Sequence, residues 1–261
     1  MEFIQTNDAD IIAPLRVALY EQLQGPIDGM WEALYIANAQ DYLIEKEGQT
    51  IGYCCIDAQK SLLQIFLDNA HRALMDSSIE ALIASGLIAS AKLSSIEPAA
   101  FNAALGHSKA IKKNTLCYAF SKHPLVEAKR LELHPVSTDY ADGIRAFFKS
   151  QIGFEDNFGY TDNLIARKEL FKIENHKSLI ATGECRISDA QPGIADLGVV
   201  VSTESRRHGI ATQILLQLAN ASLRDGHTPI CSTTVDNIGA QKAIEKAGFY
   251  CAHIIFDIVF S

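Results

Sequence analysis

Apolar and polar residues follow one another along the first part of the chain in patterns that predict strands and one long helix. A strand-like run at 2–4 precedes apolar residues at helical spacing over 8–23. Apolar runs at 42–44 and 51–56 are separated by a polar turn with a glycine, which is typical of two adjacent strands. A further strand is predicted at 62–67. This part of the chain is therefore expected to form a sheet with a helix beside it.

The second half repeats this order. Strand-like residues at 131–133 precede a helical pattern over 138–148. The stretches 178–187 and 195–201 have the composition of buried strands. Strands that alternate with helices, some of them adjacent in sequence, favour an α/β fold with a mixed sheet flanked by helices.

Two pairs of landmarks indicate that the halves share one plan. Gly52 and Gly183 are separated by 131 positions, and Met1 and Leu131 by 130. Landmarks so far apart that share nearly one offset suggest a duplicated domain.

The boundary between the halves is expected within 121–130. This stretch contains a proline and several charged residues and has little periodicity. We predict one domain at 1–122 and another at 131–261. A single mixed domain is the alternative.

The segment that carries chemistry begins with a buried strand at 196–201. A turn with two arginines, a histidine and Gly209 follows, and it leads into apolar residues at helical spacing. The first amides of a helix have no partner inside the helix and carry partial positive charge from its dipole. Because Gly209 has no side chain, a pyrophosphate can approach the backbone closely there. The pattern predicts a phosphate cradle, and a solvated basic turn is the alternative.

Further along, a strand at 228–234 leads into a helix that ends near Lys246, and a last strand is predicted at 251–260. This order resembles the GNAT acetyltransferase superfamily. Its Arg/Gln-x-x-Gly-x-Gly/Ala signature is matched by Arg206, Gly209 and Ala211, and its Asn-x-x-Ala…Gly-Phe pattern by Asn237, Ala240, Gly248 and Phe249. The resemblance is firm over 177–255 and weaker toward the start of the chain.

The resemblance implies tandem GNAT-like domains, each a mixed, mostly antiparallel sheet flanked by helices, and acetyl-CoA as cosubstrate. Strand amides of Val199 and Val201, with Val200 between them, would pair with the pantetheine arm. Asn237, together with Ala240, would help to hold that arm, although Asn237 is equally suited to be a helix N-cap. The residues that would hold the pyrophosphate, besides the nearby charge of Arg206, are Arg207, His208, Gly209, Ile210, Ala211 and Thr212.

The family reaction implies direct attack by a primary amine of a small molecule or peptide on the acetyl thioester. A base must take a proton from the amine, and Asp196 or Glu184 is the candidate. The amide of Val199 would receive the charge that develops on the carbonyl oxygen. The family's tyrosine acid is missing, because Ile244 stands seven residues after Asn237. Candidate substitutes are Tyr250, His253 and Cys231, and the thiolate could also leave unassisted.

The first half departs from the pattern at the equivalent place. Residues 67–77 contain no glycine for a phosphate to approach, and Asp76 would repel one. We therefore predict that 1–122 is a degenerate GNAT-like domain that completes the fold and shapes the acceptor site. Trp31 could line that site or simply pack in the core.

Composition limits the other possibilities. A net charge of −8 lacks the basic footprint of a nucleic-acid binder, and it is compatible with a cationic acceptor such as a polyamine, an aminoglycoside or a lysine. No signal peptide or membrane span is evident, so a cytoplasmic location is expected. The six cysteines form no metal-binding spacing and are expected to be reduced and mostly buried.

Two other functions stay open. An acyl-CoA-binding regulatory or interaction module would keep the fold without turnover. A nucleotide- or phosphate-binding protein of another family is the more distant alternative, since the P-loop lysine and the dinucleotide fingerprint are both absent. The sequence does not determine the acceptor or the oligomeric state.

Overall fold

A computed structural model of the protein describes residues 1–175 and 178–261. Lys177, where the firm part of the family resemblance begins, lies outside the described residues. The chain divides into two compact units. Unit 1 comprises residues 1–116 and 252–261, and unit 2 comprises residues 117–251. The domain ranges 1–122 and 131–261 stay a prediction.

Unit 1 begins with a strand and a long helix, as the hydrophobic pattern predicts. Its elements are β1 (Glu2–Thr6), α1 (Ala9–Gln22), α2 (Gly29–Leu34), a 3-10 turn (Ile36–Asn38), β2 (Gln40–Lys46), β3 (Gln49–Ile56), β4 (Ser61–Leu67), a 3-10 turn (Arg72–Leu74), α3 (Met75–Ala84), β5 (Ser90–Ser94), α4 (Pro98–Gly106) and β6 (Ser108–Phe120). The last residues of β6 lie in unit 2. Asp8 caps α1, because its side chain accepts from the amide of Asp10.

Unit 2 has the same alternation. Its elements are β7 (His134–Pro135), a 3-10 turn (Thr138–Tyr140), α5 (Ala141–Ile152), α6 (Tyr160–Ala166), β8 (Leu170–Asn175), β9 (Ser178–Ile187), β10 (Ile194–Val201), a 3-10 turn (Thr203–Ser205), α7 (Ile210–Arg224), β11 (Thr228–Thr234) and α8 (Ile238–Lys246). The final strand, β12 (Phe249–Phe260), starts in unit 2 and contributes its residues from Ala252 onward to unit 1.

The sheet of unit 1 is mixed. Strands β1 to β4 pair in antiparallel order, β4 and β5 pair in parallel, and β12 pairs with β5 antiparallel. Neighbouring strand residues point to opposite faces. Tyr53 therefore packs with Ile12 and Leu19 of α1, whereas Cys54 packs in the cluster that includes Ile79 of α3.

The sheet of unit 2 is also mixed and mostly antiparallel. Strands β7 to β10 pair antiparallel, and β10 pairs with β11 in parallel. On β9, Cys185 faces α7, since its Sγ lies 3.3 Å from Oγ of Ser222. The opposite face is covered by α5 and α6, whose apolar cluster includes Phe148 and Leu164 and contacts Val200 of β10.

The expected fold class is confirmed in both units. One local expectation is wrong: residues 131–133 are not a strand, and the short strand that precedes α5 is His134–Pro135. The Leu131 amide is instead bonded to the side chain of Gln217 on α7. Within 1–175 and 178–261, no helix has both the length and the apolar character needed to cross a lipid bilayer.

Candidate functional site

Strands β10 and β11 separate partway along their length. Their parallel pairing covers Ile194–Asp196 opposite Thr228–Ile230 and ends there. A cleft of about 860 Å³ opens beyond this point, between the second half of β10, the first turn of α7 and the start of α8. Nearly all of the predicted cofactor residues line it, namely Val199, Val200, Val201, Arg206, Arg207, Gly209, Ile210, Ala211, Thr212, Asn237 and Ala240. His208 is an exposed turn residue outside that lining, with Nδ1 3.3 Å from the carbonyl oxygen of Ser205.

The cleft exposes one edge of β10. The amide of Ser202 donates to Ile180 and that of Ser188 donates to Ile194. In an antiparallel ladder the residues that bond to one neighbour alternate, so the even-numbered residues of β10 bond to β9. The amides of Val199 and Val201 point the other way, toward the edge where pairing with β11 has ended in the described part of the chain. These two donors are available to a ligand.

The start of α7 offers a second set of donors. Gly209 is the N-cap, with φ 77° in the left-handed region, and Arg207 has φ 65°. No heavy atom lies within 4 Å of the position that a Cβ on Gly209 would take. Within the described residues, the amides of 206–212 donate to no protein acceptor. A helix start with free amides and open space fits an anionic diphosphate.

Charged and polar side chains complete this part of the cleft. Arg206 is held against the chain, because its Nε and Nη2 donate to the carbonyl oxygens of Val201 and Gln151 at 3.2 and 3.1 Å. Arg207 is exposed beside it. Asn237 caps α8 by accepting from the amide of Ala240 at 3.1 Å. Ile244 lines the cleft where a tyrosine acid was sought, and it cannot transfer a proton.

The candidate bases are Glu184 on β9 and Asp196 on β10. Glu184 and Asp196 are 6% and 2% exposed, and neither lines the cleft. Arg186 bridges them, with Nη1 bonded to Glu184 Oε2 and Nη2 3.1 Å from Asp196 Oδ2. The hydroxyl of Tyr160 donates to Glu184 Oε2 at 2.7 Å. Burial, with the added effect of Glu184 and against that of Arg186, raises the pKa of Tyr160, so its phenol stays protonated at neutral pH.

Gly198 connects this buried cluster, Tyr160–Glu184–Arg186–Asp196, to the cleft. It lines the cleft, and a Cβ there would lie 2.8 Å from Glu184 Oε2 and 3.0 Å from Arg186 Nη1. A side chain at this position would therefore separate the cluster from the cleft. With glycine, Glu184 Oε2 lies next to the backbone of Gly198.

The other candidate proton donors differ in position. Tyr250 is 54% exposed on β12 and does not line the cleft, whereas Cys231 is buried on β11 and does. His253 belongs to unit 1, where its Nδ1 lies 2.9 Å from Oγ of Ser94. No group of three or more His, Cys, Asp or Glu side chains suited to a metal ion occurs among the residues that the structure describes.

Sequence reasoning missed three residues of this site: Tyr160, Arg186 and Gly198. A signal for the cluster was available, because charged residues at 184, 186 and 196 interrupt otherwise apolar strands. No comparable pattern in the sequence indicated that Tyr160 of α6 belongs to the site.

Two sequence profiles match the chain. Residues 8–121 match the "Acetyltransferase (GNAT) domain" and residues 138–249 match the "Acetyltransferase (GNAT) family". The chain belongs to the GNAT acetyltransferase superfamily. Both halves are GNAT-like, which confirms the predicted tandem arrangement, and acyl transfer is the general activity of such proteins.

Solved structures agree with this assignment. A GNAT-family acetyltransferase from Colwellia psychrerythraea is 29% identical, with a TM-score of 0.93 over 100% of both chains. A GCN5-related N-acetyltransferase from Sphaerobacter thermophilus is 15% identical, with a TM-score of 0.67 over 99% of this chain and 95% of that chain. A tandem GNAT protein from the clavulanic acid biosynthesis pathway is 16% identical, with a TM-score of 0.61 over 99% and 98% of the two chains. The last two show the fold alone. No curated protein matches the chain significantly.

Proposed function

We propose that this GNAT protein is an N-acetyltransferase that moves an acetyl group from acetyl-CoA to a primary amine of a small molecule or peptide. The observation that carries the proposal is the cleft of unit 2, where an open strand edge and an open helix start both present unpaired amides. A strand edge suits an extended arm that bears amides, and a helix start suits a diphosphate. Acetyl-CoA has both.

Each part of the cleft has a task in this proposal. The amides from Arg207 to Thr212 hold the diphosphate, with Gly209 giving it close access. The Val201 amide pairs with the pantetheine arm as a further strand would, and the Val199 amide is left for the thioester carbonyl. Asn237 and Ala240 border the arm from α8. Thr212 also ties the two helices together, because its Oγ1 donates to the carbonyl oxygen of Ala243 at 3.2 Å.

Acetyl-CoA supplies a thioester whose carbonyl carbon accepts a nucleophile. The amine nitrogen bonds to that carbon, the carbon–sulfur bond breaks, and the products are an amide and free CoA. The protein aligns the two substrates, and the Val199 amide donates to the carbonyl oxygen as its negative charge grows. The proton lost by the amine goes to a base, and the departing thiolate takes a proton from water.

Glu184 is the favoured base. Its Oε2 lies 2.8 Å from the position that a Cβ on Gly198 would take, and Gly198 lines the cleft, so we propose that the proton passes to Glu184 through a water at Gly198. Asp196 is ion-paired to Arg186 as Glu184 is, but it is more deeply buried, at 2% against 6% exposed, which favours a supporting electrostatic role. Tyr250 stays a prediction as proton donor, and its exposure outside the cleft lining counts against a direct contact with the thiolate.

Ile244 favours a second candidate function, an acyl-CoA-binding module without turnover. Its side chain occupies the cleft where a proton donor would assist the thiolate. Thiols are acidic enough to leave as anions near neutral pH, so we place transfer first. Release of free thiol from acetyl-CoA in the presence of amines separates the two functions.

The first experiment measures acetyl-CoA binding by calorimetry with wild type, Gly209→Glu and Gly226→Glu. Both glycines have positive φ, have no atom within 4 Å of a built Cβ, and flank the same helix at opposite ends. The two variants thus share their backbone strain and change of charge. We expect Gly209→Glu to weaken binding at least about tenfold, through bulk and repulsion of phosphate, and Gly226→Glu to bind as wild type.

Absence of binding to folded wild type would contradict the proposal. Equal weakening by both variants would place the effect in the stability of α7 rather than in the cleft. Binding without thiol release across a panel of amines would favour the non-catalytic module.

A further inference from the structure

The loop between α5 and α6 holds its aromatic residues in a fixed arrangement. It runs from Gly153 to Gly159, both with positive φ. Between them, Asp156 accepts from the amides of Tyr160 and Thr161 at 2.8 and 2.6 Å. Its side chain is 1% exposed. A buried carboxylate bonded to several amides fixes a loop as a helix cap does.

Three rings from this segment form one group. Phe154 lies 6.1 Å from Phe158 and 5.6 Å from Tyr160 between ring centroids, both edge-on, and Phe158 lies 6.1 Å from Tyr160. Phe158 is nevertheless 57% exposed, and Ile152, which lines the cleft, is 55% exposed. The loop and the helix ends that flank it therefore carry an apolar group of Ile152, Phe154, Phe158 and Tyr160, which we call the aromatic edge and of which Ile152 lines the cleft.

Tyr160 joins the aromatic edge to the buried cluster. Its ring belongs to the first, and its hydroxyl is bonded to Glu184 at 2.7 Å and Arg186 at 2.9 Å. The cluster contains the carboxyl groups of Glu184 and Asp196 and the guanidinium of Arg186. A ligand ammonium that reaches Gly198 would meet Glu184 Oε2, which lies next to that glycine.

The equivalent strand positions in unit 1 have neither the charged cluster nor the glycine that opens it toward the cleft. The pair Glu184 and Gly198 on β9 and β10 corresponds to Tyr53 and Phe66 on β3 and β4, because each is next to the pair that contains the matching glycine, Gly183 or Gly52. Phe66 is 4% exposed, so unit 1 has a large buried side chain where unit 2 has a glycine. The charged cluster and its opening are thus properties of unit 2 and not of the shared fold.

We infer that the acceptor is a primary ammonium on a short linker to an aromatic or similarly flat apolar group, with the ammonium at Gly198 beside Glu184 and the apolar group on the aromatic edge. This inference rests on the proposed function and narrows its acceptor class. It disfavours polyamines and aminoglycosides, which would place polar groups against Phe158.

The test measures binding of 2-phenylethylamine, n-butylamine and putrescine to the protein saturated with CoA, by calorimetry, and kcat/KM for the same amines with acetyl-CoA. We expect 2-phenylethylamine to bind tightest and to have the highest kcat/KM. Phe158→Ala should weaken 2-phenylethylamine about 3- to 10-fold, the contribution of one aromatic contact, and leave n-butylamine unchanged. Leu125→Ala, at a residue 75% exposed outside the cleft lining, is the control and should change neither.

Several outcomes would overturn the inference and leave the proposed function intact. Putrescine could be acetylated with the higher kcat/KM, or Phe158→Ala could affect the three amines equally or not at all. A change in sedimentation of Phe158→Ala with unchanged amine binding would assign the aromatic edge to contact with a second copy of the chain. Failure of the proposed function is a different result, in which acetyl-CoA binds and no amine is acetylated, while the CoA complex still reports which amines bind.

Discussion

Glu97 connects the stability of unit 1 to pH. It lies at the N-cap position of α4 without making a side-chain cap bond, and it is 6% exposed. Its Oε2 has no hydrogen-bond partner among the described residues. Burial raises the pKa of this carboxyl to about 8. The folded protein therefore keeps Glu97 protonated at neutral pH, whereas the unfolded chain ionises it near the ordinary value of a glutamate.

The size of the effect follows from that difference. Between the two pKa values the folded state binds about one more proton than the unfolded state, so the free energy of unfolding falls as pH rises. The stabilisation is fully present below about pH 4.5 and is lost as pH approaches 8. Each pH unit in this window costs about 1.4 kcal/mol. We expect wild type to lose about 1 to 2 kcal/mol between pH 6.5 and 8.

Urea unfolding followed by tryptophan fluorescence measures this change in the free energy of unfolding of unit 1. Trp31 is the only tryptophan of the chain and is buried in unit 1. Glu97→Gln removes the ionisable group and should flatten the pH dependence. Glu80→Gln, an exposed residue on α3 with the same change of charge, should keep the wild-type slope. Equal slopes for wild type and Glu97→Gln would refute the assignment of a raised pKa to burial at this residue.

Three further perturbations test other parts of the structure. A Cβ at Gly52 would lie 1.9 Å from the carbonyl oxygen of Phe66, so Gly52→Ala should lower the urea midpoint by the equivalent of about 3 kcal/mol or more, and a near-wild-type midpoint would contradict this packing. Arg186→Met leaves two buried carboxylates without their guanidinium and should lower the stability of the full chain in circular-dichroism melts by about 3 to 5 kcal/mol, whereas an unchanged melt would contradict the burial of this cluster. Burial lowers the pKa of His253 to about 4, so the contribution of this residue to stability should fall as pH drops from about 6.5 to 4, by up to roughly 3 kcal/mol. This contribution opposes that of Glu97 and is measured as the change with pH in the difference between wild type and His253→Asn, and a difference that stays constant would contradict it.

Features that depend on consecutive residues were predictable from the sequence. A glycine before a helix and free amides in its first turn are local, so the position of the cleft at Gly209 and the cap at Asn237 followed from the residues themselves. The alternation of strands and helices likewise gave the fold class. The strand expected at 131–133 failed because its backbone bonds go to the side chain of Gln217 on α7, a partner distant in sequence.

Features that depend on strand register and on which face a side chain takes were decided by the tertiary structure. The sequence marked Glu184 and Asp196 as candidates, but only the pairing of β9 with β10 places Arg186 between them and Gly198 in front of them. Tyr160 lies on α6, and no pattern in the sequence indicated that its hydroxyl bonds to Glu184. Similarly, the last residues of β12 complete the sheet of unit 1, although they follow unit 2 in sequence. Residues adjacent in sequence set the local chemistry of the cleft, because helix starts and caps are formed by neighbours along the chain. The tertiary structure decided which charges meet behind it, because a shift of one residue in register would turn each of those side chains to the opposite face.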